Sequence, residues 1–199
     1  MSGTFGIFGT TLVGNTPSSI HIERSAVTAS FDYRLSPTTT LGAGAGAGIG
    51  GLITVGTQRF RVLPGWEVTG AYSRRLLDGR GKLPFLVLGI AGGASGGATR
   101  EEVYGGPAPG TAGLYTFDIR GGLTVGKTFW STLSPYAVFR AFGGPVIWNY
   151  AGKTVLAGDQ THVQLGAGLV ASLPRAFDVF VEGVPLGERA LTMGLGKTL

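Results

Sequence analysis

No cysteine occurs in the 199 residues. That excludes disulfides and thiolate metal sites and leaves the redox compartment open. Charge is scarce, at 14% of residues, and the mean hydropathy is +0.28. A chain this apolar is not a disordered one. No run of eighteen apolar residues appears, so no transmembrane helix is expected. Helical spacing is almost missing too. Histidine is limited to His21 and His162, and no metal or cofactor site is expected. The start, "MSGTFGIFGTTL", lacks a basic segment followed by an apolar one, which predicts a mature chain whose export signal has been removed.

Glycine, by contrast, is abundant, with 37 residues, more than double the usual share of about 7%, and without the collagen period. The net charge of +5 invites a nucleic-acid reading. Such binding needs Lys and Arg gathered on one face beside stacking aromatics. Here the arginines are spread singly or in pairs along the whole chain, so neither nucleic acid nor nucleotide is expected as a partner.

Period-two alternation fills the sequence, the mark of strands with two unlike faces. Val27, Ala29, Phe31, Tyr33 and Leu35 share one face; Thr28, Ser30, Asp32 and Arg34 share the other. Phe60, Val62, Trp66, Val68 and Tyr72 oppose Arg61, Glu67, Thr69 and Ser73. Tyr115, Phe117, Ile119, Leu123 and Val125 oppose Thr116, Asp118, Arg120 and Thr124. Val163, Leu165, Ala167, Leu169 and Ala171 oppose His162, Gln164 and Ser172, and Leu191, Met193, Leu195 and Leu199 fall together. Runs of about a dozen residues exceed the usual soluble strand of about five or six. They suit a tilted bilayer crossing of about nine to eleven.

Short turns are expected at Ser36–Thr39, Asp78–Lys82, Phe129–Ser134 and Leu173–Ala176. Longer or more irregular connections are expected at Val13–Ser19, Arg100–Ala112 and Tyr150–Asp159, with two more at Thr54–Gln58 and Pro185–Arg189. Short turns at one end and longer loops at the other are the asymmetry of outer-membrane barrels. Tyr33, Tyr72, Phe85, Phe129, Trp130, Tyr136 and Phe177 fall beside the short turns, and Phe60, Tyr115 and Trp148 near the longer loops. Two aromatic bands are what membrane interfaces select.

In this strand-and-turn rhythm, and most specifically in "FDVFVEGVPLGERALTMGLGKTL" at the end, the chain resembles the small outer-membrane β-barrel proteins of Gram-negative bacteria. Members usually finish on an aromatic residue with another aromatic or apolar residue two positions earlier; here Leu199 and Lys197 hold those places. The resemblance implies an all-β, closed, antiparallel up-and-down transmembrane barrel of about ten strands, eight being the alternative, over residues 1–199 as one domain. It implies an outer-membrane location. The expected partners are the bilayer with its lipopolysaccharide, the barrel-insertion machinery during assembly, and an unidentified extracellular or periplasmic protein.

Against that frame, "GGLTVGKT" (Gly121–Thr128) matches the phosphate-binding pattern G-x-x-x-x-G-K-[ST]. That loop works by joining a strand to a helix, whose N–H groups hold the anion. Alternation runs straight through Gly126 and no helical pattern follows, so the match is one of composition. "GAGIGG" and "GAGLVA" fail the same test.

The inward face is where chemistry is expected. Glu67, Arg120, Arg140, Gln164 and Glu182 fall near mid-strand and form one layer, with Asp32, Arg34, Arg61, Asp118 and His162 above or below it. Mixed signs in a low dielectric imply paired charges. Such a lumen suits a structural or surface-interaction barrel, or a narrow passive channel for small solutes or anions. From other classes stand a soluble or self-assembling glycine-rich β protein and a rim-located outer-membrane hydrolase. No enzyme is expected: each histidine lacks a serine two positions on.

Overall fold

The structure, a computed structural model, describes residues 1–15, 19–102, 110–150 and 152–198. Its thirteen strands form one antiparallel sheet closed on itself. They are β1 (Ser2–Gly14), β2 (Ile20–Ser36), β3 (Thr39–Val55), β4 (Gln58–Val62), β5 (Gly65–Asp78), β6 (Phe85–Glu101) and β7 (Thr111–Gly126). Then follow β8 (Leu133–Gly143), β9 (Val146–Tyr150), β10 (Lys153–Asp159), β11 (Val163–Leu173), β12 (Phe177–Leu186) and β13 (Arg189–Lys197). Three traverses of the wall are broken in two: β4 with β5 at Leu63–Pro64, β8 with β9 at Gly144–Pro145, and β10 with β11 at Gln160–His162. Thirteen strands therefore make ten staves, the expected number.

The breaks divide the molecule into two rings. Near the short turns, β13 closes on β1 from Ser2↔Gly196 to Gly9↔Arg189, and the wall has ten strands. Beyond that, the β12–β13 hairpin has ended, and β10 bends across to pair with β1 from Leu12↔Asp159 to Gly14↔Ala157. The wall there has eight strands: β1, β2, β3, β4, β6, β7, β9 and β10. An eight-stranded interior is just wide enough for side chains to fill, whereas ten leave more room. The 17-residue strands β2, β3 and β6 run through both rings.

The two rings have opposite polarity. In the ten-stranded ring, apolar side chains point outward: Phe31, Phe117, Val163 and Leu195 are 53%, 48%, 46% and 49% exposed. Thr28, Asp118, Arg120 and Gln164 line the interior of this ring. In the eight-stranded ring the apolar set is inside. Leu12, Ile20, Ile22, Ile53, Phe60, Leu114, Val146, Trp148, Val155 and Ala157 form one buried cluster. Phe60 stands edge-on to both Trp148 and Tyr150, which stack on each other at 4.9 Å between centroids. Trp148 Nε1 donates to Thr99 Oγ1 at 2.8 Å, so the buried indole N–H is satisfied. Outside, the same ring carries His21, Glu23, Arg59, Arg61, Arg100 and Thr154, all exposed.

Several expectations are corrected by this inversion. Phe60 and Trp148 do not belong to an interfacial belt; they fill the small ring, and the outward aromatics near that boundary are Trp66, Tyr115 and Phe117. Tyr136 lies between the strands' inner faces, its ring against Gly168. Phe60 and Val62 do not share a face with Trp66 and Val68, because the break at Pro64 shifts the alternation by one residue. The expected loop over Tyr150–Asp159 is mostly strand β10. Two-residue turns at Gly56–Thr57 and Gly187–Glu188 stand where irregular loops were expected. The expected loops over Val13–Ser19 and Arg100–Ala112 are described only at their ends, and Leu199 lies outside the described residues.

The short-turn end follows expectation. Both termini lie there, with the Met1 amino group donating to the Lys197 carbonyl at 3.0 Å. Tyr33, Tyr72, Phe129 and Trp130 are exposed around it. Arg175 and Ala176 are both left-handed, with φ of 65° and 60°, as a tight hairpin turn requires. No helix begins at Lys127. Its ammonium donates to the carbonyls of Gly79 and Leu83 at 3.0 and 2.6 Å and to that of Gly81. The residue that mimics a phosphate-binding lysine pins the neighbouring turn.

Candidate functional site

The lumen of the ten-stranded ring holds two charge clusters. In the first, Arg140 on β8 grips Glu182 on β12 with two parallel bonds of 2.6 and 2.9 Å. Strand β11 runs between them, and Gly168, which pairs with both Tyr136 and Glu182, presents no side chain there. A Cβ at Gly168 would collide with the Tyr136 ring. The glycine is what lets two next-but-one strands join directly, in the bidentate geometry that suits guanidinium and carboxylate.

The second cluster centres on Arg120 of β7. Its Nε and Nη2 both lie 2.6 Å from Asp118 Oδ2, two residues away on the same face. Nη2 also lies 3.5 Å from Glu188 Oε2. Glu188 comes from the β12–β13 turn, where Gly187 adopts a φ of 90° that side chains disfavour. The turn drops the carboxylate inward to 9% exposure. Gln164 Nε2 donates to Glu188 Oε2 at 2.8 Å, while Gln164 Oε1 has no partner among the described residues. Arg24 on β2 reaches Ser95 Oγ at 2.7 Å and Thr116 Oγ1 at 3.5 Å on the far wall. Thr10 Oγ1 donates to Asp159 at 3.0 Å. Thr28 donates to Glu67 at 3.4 Å over Gly46, again across a bare middle strand. A cavity of about 220 Å³ lies among Phe8, Arg24, Glu67, Asp118, Arg120 and Glu188.

Of the ten residues proposed for the lumen, Glu67, Asp118, Arg120, Arg140, Gln164 and Glu182 are gathered there. Asp32 and Arg34 are exposed near the short turns. Arg61 is on the outer surface, its Nε 3.5 Å from Glu102, because the register slips at Pro64. His162 lies in the break between β10 and β11, with Nδ1 3.3 Å from the Phe142 carbonyl. Four residues were missed. Arg24 shares the even-numbered face of β2 with Thr28 and Ser30, a signal that was readable. Glu188 and Asp159 were assigned to loops, and Tyr136 to the aromatic band beside the short turns.

The other histidine is on the outer surface of the small ring. His21 Nδ1 lies 3.3 Å from Thr11 Oγ1, and its Nε2 lies 3.3 Å from Glu23 Oε1. Among the described residues, no three of His, Asp and Glu converge as metal ligands would.

An exterior of this composition, closed without a free edge, satisfies the two demands of hydrocarbon: apolar side chains and no unpaired backbone. No family model and no curated protein matches the sequence. Solved structures do match. The translocator domain of the autotransporter NalP from Neisseria meningitidis superposes with a TM-score of 0.54 at 13% identity, over 100% of this chain and 87% of that one. The outer membrane protease OmpT from Escherichia coli gives a TM-score of 0.56 at 11% identity, over 98% and 93%. This is the fold of the outer-membrane β-barrels. At these identities the likeness is one of architecture, and the function must come from the interior just described.

Proposed function

We propose that the chain is a closed, non-conducting barrel of the bacterial outer membrane, built to hold its small ring and loops above the bilayer as a surface for interaction. The observation that carries this reading is the ten-residue apolar cluster filling the eight-stranded ring. A dry, close-packed core leaves no path for water or ions. The lumen charges support it as well. A ring that selects anions presents unpaired Arg, whereas Arg120 and Arg140 each hold carboxylates. In this reading the lumen residues Glu67, Asp118, Arg120, Arg140, Gln164 and Glu182 serve to fill and fasten the wide ring. The partners are bilayer lipid, lipopolysaccharide in the outer leaflet, the insertion machinery, and a protein met by the loops.

Recording across a planar bilayer tests it. The refolded chain is expected to give no conductance steps, and a steady conductance would overturn the reading. A detergent requirement for extraction and heat-modifiable gel mobility test the membrane assignment separately.

One observation favours a second reading, a hydrolase. Thr11, His21 and Glu23 form a hydroxyl–imidazole–carboxylate chain, the arrangement that activates a nucleophile, and OmpT is a protease by name. Both joints are 3.3 Å, and His21 and Glu23 have half or more of their side chains in solvent. Assay of ester and peptide substrates with the parent chain and His21→Ala decides it; equal background rates remove this reading.

A further inference from the structure

The net charge of +5 is not spread over the barrel. Each charged residue within four positions of a short turn or a terminus can be counted at one end. On the positive side these are Arg34, Arg74 and Arg75 at strand ends, and Arg80 and Lys82 in the Asp78–Lys82 turn. Lys127, Arg175 and Lys197 complete that set, making eight. Only Asp32, Asp78 and Asp178 oppose them, leaving +5. The remaining eight basic and eight acidic residues, in the lumen and the small ring, cancel. The whole excess therefore sits at the short-turn end. Sequence scanning missed it because antiparallel staves bring together turns that are about 40 residues apart.

This end also carries the outward aromatic belt of Tyr33, Tyr72, Phe129 and Trp130, which marks headgroup depth. Lys197 Nζ stands 5.3 Å from the centre of the Phe177 ring, its stem lying along the apolar face. Some of the charge is already engaged: Lys127 holds turn carbonyls, and Arg80 lies 3.5 Å from Asp78. Asp178 accepts from Ser172. Arg34, Arg74 and Arg75 are exposed.

We propose that this basic collar binds the phosphate headgroups of anionic phospholipid in the leaflet at the short-turn end. The inference rests on the membrane reading above but not on the closed state of the lumen. A conductance result therefore leaves it standing. Arginine forks match phosphate oxygens, and an anionic surface attracts each basic residue placed near it. The opposite end is nearer balance, with Arg59, Arg61, Arg100, Lys153 and Arg189 standing against Glu23, Glu101 and Glu102, and a weaker preference is expected there.

Native mass spectrometry of the refolded chain tests this. The detergent micelles carry equal phosphatidylglycerol and phosphatidylcholine of the same acyl chains. The parent is expected to retain phosphatidylglycerol over phosphatidylcholine by about fivefold or more, the order expected of a single basic residue at such a surface. The variant Arg34→Ser, Arg74→Ser, Arg75→Ser is expected to lose most of that preference. The variant Arg59→Ser, Arg61→Ser, Arg100→Ser, at the other end, should keep it. If the first variant does not fold, salt replaces it: near 1 M, where the screening length falls to about 3 Å, the parent's preference should vanish. Equal retention of the two lipids, an unchanged preference in salt, or an equal loss in the second variant overturns the proposal.

Discussion

The two rings of this barrel share β1, β2, β3, β6 and β7, yet they are inside-out versions of each other. Strand β2 makes the contrast within one element. Its even-numbered residues face inward throughout, and they read Ile20 and Ile22 in the small ring, then Thr28 and Ser30 in the wide one. The β2–β3 register shifts between Ser25 and Ala26, but the extra residue lies on β3 and the β1–β2 register runs unbroken; the chemistry changes sides while the β2 backbone does not. The difference teaches that solvent assigns the faces. Where the wall stands in lipid, the apolar residues go out and the polar ones pair across the lumen. Where it stands in water, the ordinary rule returns. The fall from ten strands to eight makes the second arrangement possible, because it narrows the interior to a width that side chains fill.

The largest test of that comparison sets a core aromatic against a lipid-facing one. Phe60 is 1% exposed and packs against Trp148 and Tyr150. Phe60→Ala should cost about 3–5 kcal/mol, from lost transfer energy and the cavity left behind. Phe117→Ala, on the 48% exposed lipid face, opens no cavity and should cost well under half of that. Denaturant unfolding of both variants in the same detergent measures the gap. Equal losses would mean the small ring is not a true core.

In the wide ring the corresponding weak point is a charge. Glu182→Leu strands Arg140, whose side chain is only 25% exposed. The cost should approach the lower end of the roughly 3–5 kcal/mol seen when one member of a buried pair is removed. The double variant Arg140→Met, Glu182→Leu should recover most of it, since an apolar pair leaves nothing unpaired. A double variant no better than the single would mean that the bridge itself, and not the orphaned charge, carries the stability.

Much of the wide ring was legible in the sequence for a simple reason. There the alternation is long, unbroken and strongly polarised, as in Val27–Leu35 and Tyr115–Val125. The placements of Arg120, Arg140 and Glu182 followed from parity and from the cost of a charge in lipid. The small ring was not legible, because parity alone cannot say which face meets water. Arg61 was placed inward by carrying alternation through Pro64, where the missing N–H and the break reset it. Phe60 and Trp148 fell at the right height for an interfacial belt, and nothing local distinguishes a belt from a plug. The readable clue was the phase change in β2, where "IHI" inverts the pattern of "VTASFDY".

That phase change yields a sharper test on one outer face of one strand. Val27 and His21 both point outward from β2 and are both about half exposed. Val27→Arg sits in the apolar belt and should cost about 2–4 kcal/mol in a bilayer, whereas His21→Arg, above the boundary, should cost about 0–1. Equilibrium unfolding in liposomes reads both. Similar costs would place the boundary elsewhere on the strand.

The finest test lies inside the small ring. Trp148 is 3% exposed and Thr99 1%, and the indole's single donor reaches the threonine hydroxyl at 2.8 Å. Thr99 Oγ1 itself donates to the Ala112 carbonyl at 3.3 Å, so the hydroxyl is tied to β7 as well as to β9. Trp148→Phe removes one bond and some volume, and should cost about 1–3 kcal/mol, the range for a buried partner left unmatched. Thr99→Val leaves the indole N–H without an acceptor and should cost a similar amount. If the ring is a dry core, the two losses are not independent. The double variant should cost clearly less than their sum, because it leaves no buried group seeking a partner across the ring. If water reaches the ring, each orphaned atom finds a replacement, the single losses shrink, and the double becomes additive. The coupling between these two residues therefore reports directly on whether the end of the barrel is sealed.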